Sequence, residues 1–280
     1  AICQMTVTVT DDEDPQINCP ADNTQTADAG VCEADVAVPL PTSSDNCGVD
    51  NVVNDYTATN DASGTYPVGT TTVTWTVTDL YGNTASCQMT VTISDDEDPQ
   101  ITCPADITQT ADAGVCEAVV AVPQPTTSDN CGVDNVVNDY TGTNDASGTY
   151  PVGTTTVTWT VTDHYGNTAS CQMTVTVTDD EDPQITCPAD ITQTADAGVC
   201  EAVVAVPQPA TSDNCGVDNV VNDYTGSNDA SGTYPVGTTT VTWTVTDLYG
   251  NTASCQMTVT VTDDEDPQIT CPADITQTAV

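Results

Sequence analysis

Cysteine sets the period of this chain. Cys3, Cys87, Cys171 and Cys255 stand 84 residues apart, as do Cys19, Cys103, Cys187 and Cys271, and Trp75, Trp159 and Trp243 keep the same step. Self-similarity at a fixed period means one structural unit built several times over, so the fold to be found is that of a single repeat. Residues 1–28 match residues 253–280 almost letter for letter. The phase therefore divides the chain into residues 1–10, the last strand of a preceding repeat; residues 11–94, 95–178 and 179–262, three full repeats; and residues 263–280, the first strand of a following one. A chain that starts and stops inside its own repeat reads as a segment of something longer or as one subunit of a filament.

Within one repeat the apolar residues alternate with a period of two. In "TTTVTWTVTD", residues 154–163, Val157, Trp159 and Val161 share one face while Thr156, Thr158, Thr160 and Thr162 share the other, the pattern of a half-buried antiparallel strand. A turn at Tyr165, Gly166 and Asn167 leads to a hairpin partner that puts Cys171, Met173, Val175 and Val177 on the core side. Upstream, Ile101 and Cys103 share a face of a first strand closed by Pro104; Cys116, Ala118, Val120 and Val122 share a face of a second, with Glu117 opposite and Pro123 and Pro125 ending it. No stretch carries a capped apolar pattern of period 3.6, so no helix is expected. Short strands with turn signals at regular spacing predict an all-β fold: tandem immunoglobulin-like β-sandwiches of about 84 residues arranged as an elongated array.

Charge removes several functions at once. The chain has no lysine or arginine and a formal charge of −42, so it has no means of neutralising phosphates, which excludes nucleic acid and anionic membrane surfaces as partners. No apolar run is long enough to span a bilayer. Fourteen cysteines without a C-x-x-C pair read as a disulfide framework made in an oxidising, extracytoplasmic setting. An enzyme is not expected. His164 is the single histidine, replaced by Leu80 and Leu248 at the matching positions, so it reads as a tolerated loop substitution rather than a base or a ligand. The outward threonine rows suit an exposed strand face better than an ice-binding or O-glycosylated one, and no N-x-[ST] sequon occurs.

The segments "ITCPADIT", "GVCEAVVAV", "PTTSDNCG", "YPVGTTTVTWTVTD" and "YGNTASCQMTVTV" resemble, in order and over the whole unit, the hyalin repeat or HYR domain of secreted and cell-surface proteins. The resemblance implies an immunoglobulin-like fold in tandem, an extracellular location, a role in adhesion or matrix building, and no catalytic activity. Four cysteines per repeat allow three connectivities. The favoured one joins the first and last strands, Cys103 with Cys171, and leaves Cys116 with Cys131; the equivalents are Cys19 with Cys87, Cys32 with Cys47, Cys187 with Cys255 and Cys200 with Cys215. Cys103 with Cys131 is the alternative. Cys3 and Cys271 then have no partner.

The acidic run "DDEDPQ" begins at Asp11, Asp95, Asp179 and Asp263, at each junction of one sandwich with the next. Hard divalent ions take six to eight oxygens from carboxylates, amides, backbone and water, so Ca2+ is the expected counter-ion. The ligands expected are Asp11, Asp12, Glu13 and Asp14 with Asp45, Asn46 and Asp79; Asp95, Asp96, Glu97 and Asp98 with Asp129, Asn130 and Asp163; and Asp179, Asp180, Glu181 and Asp182 with Asp213, Asn214 and Asp247. The competing reading is a solvated acidic spacer. Together these features point to a calcium-stiffened extracellular stalk or filament protomer, self-associating end to end or continuing into further repeats. The alternative is an adhesion module that binds a surface glycan or protein through its loops.

Overall fold

A computed structural model describes residues 1–277 of the chain. Its regular elements are all strands, with no helix among the described residues. In repeat 1 they are β1 (Gln16–Asn18), β2 (Asn23–Thr26), β3 (Glu33–Val36), β4 (Thr42–Ser44), β5 (Val49–Asn54), β6 (Gly64–Pro67), β7 (Gly69–Asp79) and β8 (Thr84–Ser94). One sheet has the order β2-β8-β7-β5, with β2 parallel to β8 and the rest antiparallel. Two smaller pairs, β1-β4 and β3-β6, complete the sandwich.

The alternation read in the sequence is what closes the core. Val73, Trp75 and Val77 of β7 and Met89, Val91 and Ile93 of β8 are buried, while the threonines between them stay partly wet. All of these buried residues but Val77 pack in one cluster with Ala34, Val36, Ala62 and Tyr66 from the smaller pair and its approach. Burial of each such side chain is worth about 1.5–3 kcal/mol. Cys87 lies opposite Trp75 in the hairpin register, so the bridge from Cys19 to Cys87 is part of this core.

The expected first strand, closed by its proline, is followed by one more that the sequence reading did not predict. Residues 16–18 pair with β4, whereas residues 23–26 pair with β8. Pro20 sits in the break, where a residue without a backbone N–H cannot continue either ladder. The chain thereby changes sheets within one crossing of the sandwich, and it is β2, not β1, that lies beside the last strand.

Packing separates two compact units. The first comprises residues 1–105, 122–146 and 156–173. It holds the sandwich of repeat 1 together with the antiparallel pair Gln100–Thr102 and Thr126–Ser128, and Val133–Asn138 laid along residues 159–163. The second comprises residues 106–121, 147–155 and everything from 174 onward. It holds the sandwich of repeat 3, whose main sheet runs Ile191–Thr194, Thr252–Thr262, Gly237–Asp247, Val217–Asn222, and the pair Glu117–Val120 with Gly148–Pro151.

Two tyrosines show how tightly the repeats close. Tyr66 is fully buried, donates to Ala62 O at 2.6 Å and stacks on Tyr56 with ring centroids 4.2 Å apart; Tyr234 does the same with Ala230 and Tyr224. Burial, helped by the neighbouring tyrosine and aspartates, pushes both phenols up to about 12. A phenolate-absorbance titration of the folded protein should show Tyr66 and Tyr234 ionising near pH 12. Unfolded tyrosine ionises at about 10. The folded state thus holds these protons longer, and their contribution to stability is complete below about pH 10 and lost as pH rises towards 12. A Tyr66→Phe, Tyr234→Phe variant should lose that part of the alkaline sensitivity.

Candidate metal centre

Strand direction in repeat 1 places the loops that matter. Gln16 lies opposite Ser44 and Val49 opposite Asp79, so residues 45–48 and the turn after β7 both lie at the end that receives the linker at Asp11. The turn at residues 27–32 lies at the other end, because Ala27 N donates to Ser94 O, the last residue of β8. The next linker, from Asp95, leaves from that second end.

At this junction three carboxylates from three segments converge. Asp95 of the linker, Asp129 of the loop after Thr126–Ser128 and Asp163 of the hairpin turn each bring an oxygen within 4.8 Å of the others. Asp179, Asp213 and Asp247 do the same in the second unit, and Asp11, Asp45 and Asp79 at the start of repeat 1. Two oxygens bound to one Ca2+ at 2.3–2.6 Å lie at most about 5 Å apart, so the spacing fits one ion. The site is close-set and anionic with no cationic side chain in it.

Each aspartate has a distinct local task. Asp163, only 2% exposed, accepts backbone N–H bonds from Tyr165, Gly166 and Asn167 at 2.6–2.9 Å on Oδ1 and the Asn167 amide at 2.8 Å on Oδ2. Burial pushes its carboxyl up, but the Asn167 amide and these N–H groups outweigh it and hold the group below the usual carboxylate range. Asp129 Oδ2 accepts from Cys131 N at 2.8 Å. Asp95 is 9% exposed, and its Oδ1 accepts from Asn130 Nδ2 at 3.2 Å.

The remaining oxygens have nothing to bond. Asp95 Oδ2, Asp129 Oδ1 and Asn130 Oδ1 are buried without a hydrogen-bond partner, as are Asp179 Oδ2, Asp213 Oδ1 and Asn214 Oδ1. Buried carboxylate oxygens are expensive to leave unsatisfied, and here they are grouped. A hard cation is the partner such a donor set fits, being all oxygen with no thiol or imidazole ligand.

Not every expected ligand is brought in. Asp12, Asp14, Asp96, Asp98, Asp180 and Asp182 are exposed and outside the three clusters. Glu97 and Glu181 are turned to another use: their Oε2 atoms accept from Gly30 N and Gly114 N of the preceding repeat, each at 2.8 Å. Glu13 accepts from Asn46 Nδ2 at 3.0 Å. Asn167, expected with Asp163 in the turn at the receiving end though not as a ligand, clamps that aspartate, as Asn83 and Asn251 do at the equivalent turns. The repeated "YGN" turn was the available signal.

The bridges need a larger correction. Cys19 is joined to Cys87, Cys103 to Cys171 and Cys187 to Cys255. The bridge expected between Cys116 and Cys131, with its equivalents at Cys32 with Cys47 and Cys200 with Cys215, is not formed. Cys32 bonds Cys131 and Cys116 bonds Cys215, each across 99 residues, while Cys3, Cys47, Cys200 and Cys271 are free and exposed. The alternative of Cys103 with Cys131 is likewise excluded. Repeat 1 supplies the reason: Cys32 belongs to the turn at the outgoing end of the sandwich and Cys47 to the loop at the receiving end, so they cannot meet. What lies beside Cys32 is the receiving loop of the next repeat.

Residues 10–93, 94–177 and 178–261 each match the HYR domain. The chain belongs to the HYR domain family. Among HYR relatives, hyalin of Strongylocentrotus purpuratus is 36% identical over 286 residues, which is 98% of this chain and 23% of that protein. Hyalin of Lytechinus variegatus is 32% identical over 271 residues, 93% of this chain and 49% of that one. The chain thus spans no more than half the length of either. The mouse cadherin-23 EC22-24 structure aligns over 90% of this chain and all of its own at 14% identity and a TM-score of 0.35, a distant likeness. For this HYR chain, non-reducing peptide mapping should recover the Cys32–Cys131 and Cys116–Cys215 cross-linked peptides and no Cys116–Cys131 peptide. Recovery of the within-repeat pair would reverse the assignment.

Proposed function

We propose that this chain is a non-enzymatic structural segment of an extracellular adhesive or matrix protein, with repeats beginning at Asp11, Asp95 and Asp179 that Ca2+ and disulfides lock end to end into a stiff array. The observation that carries the reading is the grouping of buried, unpartnered oxygens at the point where one repeat is bridged to the next. Disulfides across repeats support an oxidising, extracellular setting, and the HYR relationship supports adhesion or matrix building rather than catalysis.

The ion would be held by Asp95, Asp129, Asp163 and Asn130 at one junction and by Asp179, Asp213, Asp247 and Asn214 at the next. Its chemistry there is charge neutralisation, which removes the repulsion that would otherwise drive the linker and the two loops apart. The residues of the chain do the rest: Asn167 and the turn N–H groups orient Asp163, and Gly30 N holds Glu97 of the linker. On the same reading the exposed thiols of Cys47 and Cys200 take up further repeats, by continuation of the chain or by end-to-end association.

Thermal unfolding and single-molecule contour length, each measured with Ca2+ and with chelator, test the proposal. A ligand that binds only the folded state at 100 times its Kd adds about 2.7 kcal/mol, so a clear rise in melting temperature and a longer, stiffer chain are expected with calcium. If neither quantity changes, the linkers are solvated spacers and the calcium-stiffened reading fails.

A further inference from the structure

Each repeat leaves one strand of its smaller pair at an edge of the sandwich, and side chains of the same repeat occupy that edge. Glu117–Val120 pairs with Gly148–Pro151 in the register that sets Val119 opposite Thr149, and Val152 N donates to Cys116 O. Inward and outward hydrogen-bonding positions alternate along an antiparallel pair, so Glu117 and Val119 turn their backbone groups outward. There Asp112 and Gln109 stand in for a neighbouring strand. Asp112 N donates to Glu117 O at 2.8 Å, Asp112 Oδ2 accepts from Val119 N at 3.0 Å, and Gln109 Nε2 donates to Val119 O at 3.2 Å. The same three bonds recur with Asp28 and Gln25 on Glu33 and Asp35, and with Asp196 and Gln193 on Glu201 and Val203, at 2.8–3.3 Å.

What projects from this edge differs between repeats. Val119 and Val203 are each 68% exposed, whereas the matching residue of repeat 1 is Asp35, an exposed carboxylate. An edge that carries a β-branched apolar side chain beside outward backbone donors and acceptors is a template for another strand. A second copy of the same edge fits it. Antiparallel pairing about Val119 sets Glu117 against Ala121, and pairing about Val203 sets Glu201 against Ala205, so no like charges face each other across the seam. The formal charge of −42 on each chain opposes the approach at long range, and salt screens it.

We infer that the outer edges of Glu117–Val120 and Glu201–Val204 are strand-pairing surfaces for a second copy of this chain, held shut in the folded repeat by Asp112 with Gln109 and by Asp196 with Gln193. The edge of repeat 1 is shut twice, by Asp28 with Gln25 and by the charge of Asp35, since a charged side chain on an edge strand opposes pairing. Lateral pairing between chains is thereby blocked within single repeats, independently of any cation at the linkers.

Hydrogen exchange on the intact oxidised chain, its exposed thiols capped, reads the closure directly. The Val119 and Val203 amides should be protected although their side chains are exposed; exchange at the rate of an open edge would overturn the inference whatever any variant does. Gln109→Ala, Asp112→Ala, Gln193→Ala and Asp196→Ala together should release those amides. In about 1 M salt, where charges act over about 3 Å, that variant should sediment as dimers and larger species while the unsubstituted chain sediments singly. Adding Val119→Asp and Val203→Asp should return the variant to single chains. Gln25→Ala with Asp28→Ala should leave the chain single, because Asp35 still guards its edge. A four-alanine variant that is folded by circular dichroism yet sediments singly at that salt would sink the inference, as would equal association of the repeat 1 variant.

Discussion

Carboxylates in this protein have almost nothing but N–H groups to lean on. His164, whose Nδ1 lies 3.6 Å from Asp134 Oδ1, is the single side chain of 280 that can become a cation. The acidic residues are accordingly written into the backbone: Asp22 Oδ1 accepts from Thr90 N, Asp55 Oδ1 from Thr74 N, and Asp28 Oδ2 from Asp35 N, at 2.7–2.9 Å. A carboxylate capping an otherwise unpaired backbone donor gains a charge-assisted bond and satisfies the donor. Acidity on this scale is thus compatible with a folded sandwich as long as backbone donors last. At the junctions they run out, and that is where oxygens are left over.

Sandwich topology makes the junction the meeting point of everything else. Odd and even crossings of the sheets send the turn at residues 27–32 to the outgoing end and residues 45–48 to the receiving end. Each repeat therefore offers one cysteine forward and one backward. The bridge Cys32–Cys131 closes over the linker, Glu97 is fastened by Gly30 N, and Asn130 is fastened by Val31 O. A disulfide spanning 99 residues restricts the unfolded chain strongly in the loop-entropy account, by about 4–5 kcal/mol for a loop of this length.

A bare acidic linker would swell and flex with falling salt, since its charges repel over about a Debye length. On the proposed reading, a linker whose carboxylates and amide share one cation has a fixed geometry that removal of the cation would release. The proposed role in matrix or adhesion rests on that proposed calcium dependence of inter-repeat stiffness.

The period, the strand alternation, the buried Trp75 and its counterparts, the hairpin β7–β8 and the meeting of Asp95 with Asp129 and Asp163 are legible in the letters, because each depends on local spacing or on which end of a sandwich a loop must occupy. Spacing alone does not say which of four adjacent acidic residues turns inward; the buried position of Asp95, against exposed Asp96 and Asp98, is decided by the path of the chain out of β8 and its counterparts. Nor could the sequence choose the partner of Cys116. Repeats alike in sequence offer every Cys of one type to every Cys of the other, and only the three-dimensional course of the strands puts two of them on opposite ends of one sandwich and adjacent across a junction. The letters alone establish the unit and its chemistry. That the loop beside the site is bridged to the preceding repeat is a matter of three-dimensional course, because ends that are distant within a repeat are neighbours between repeats.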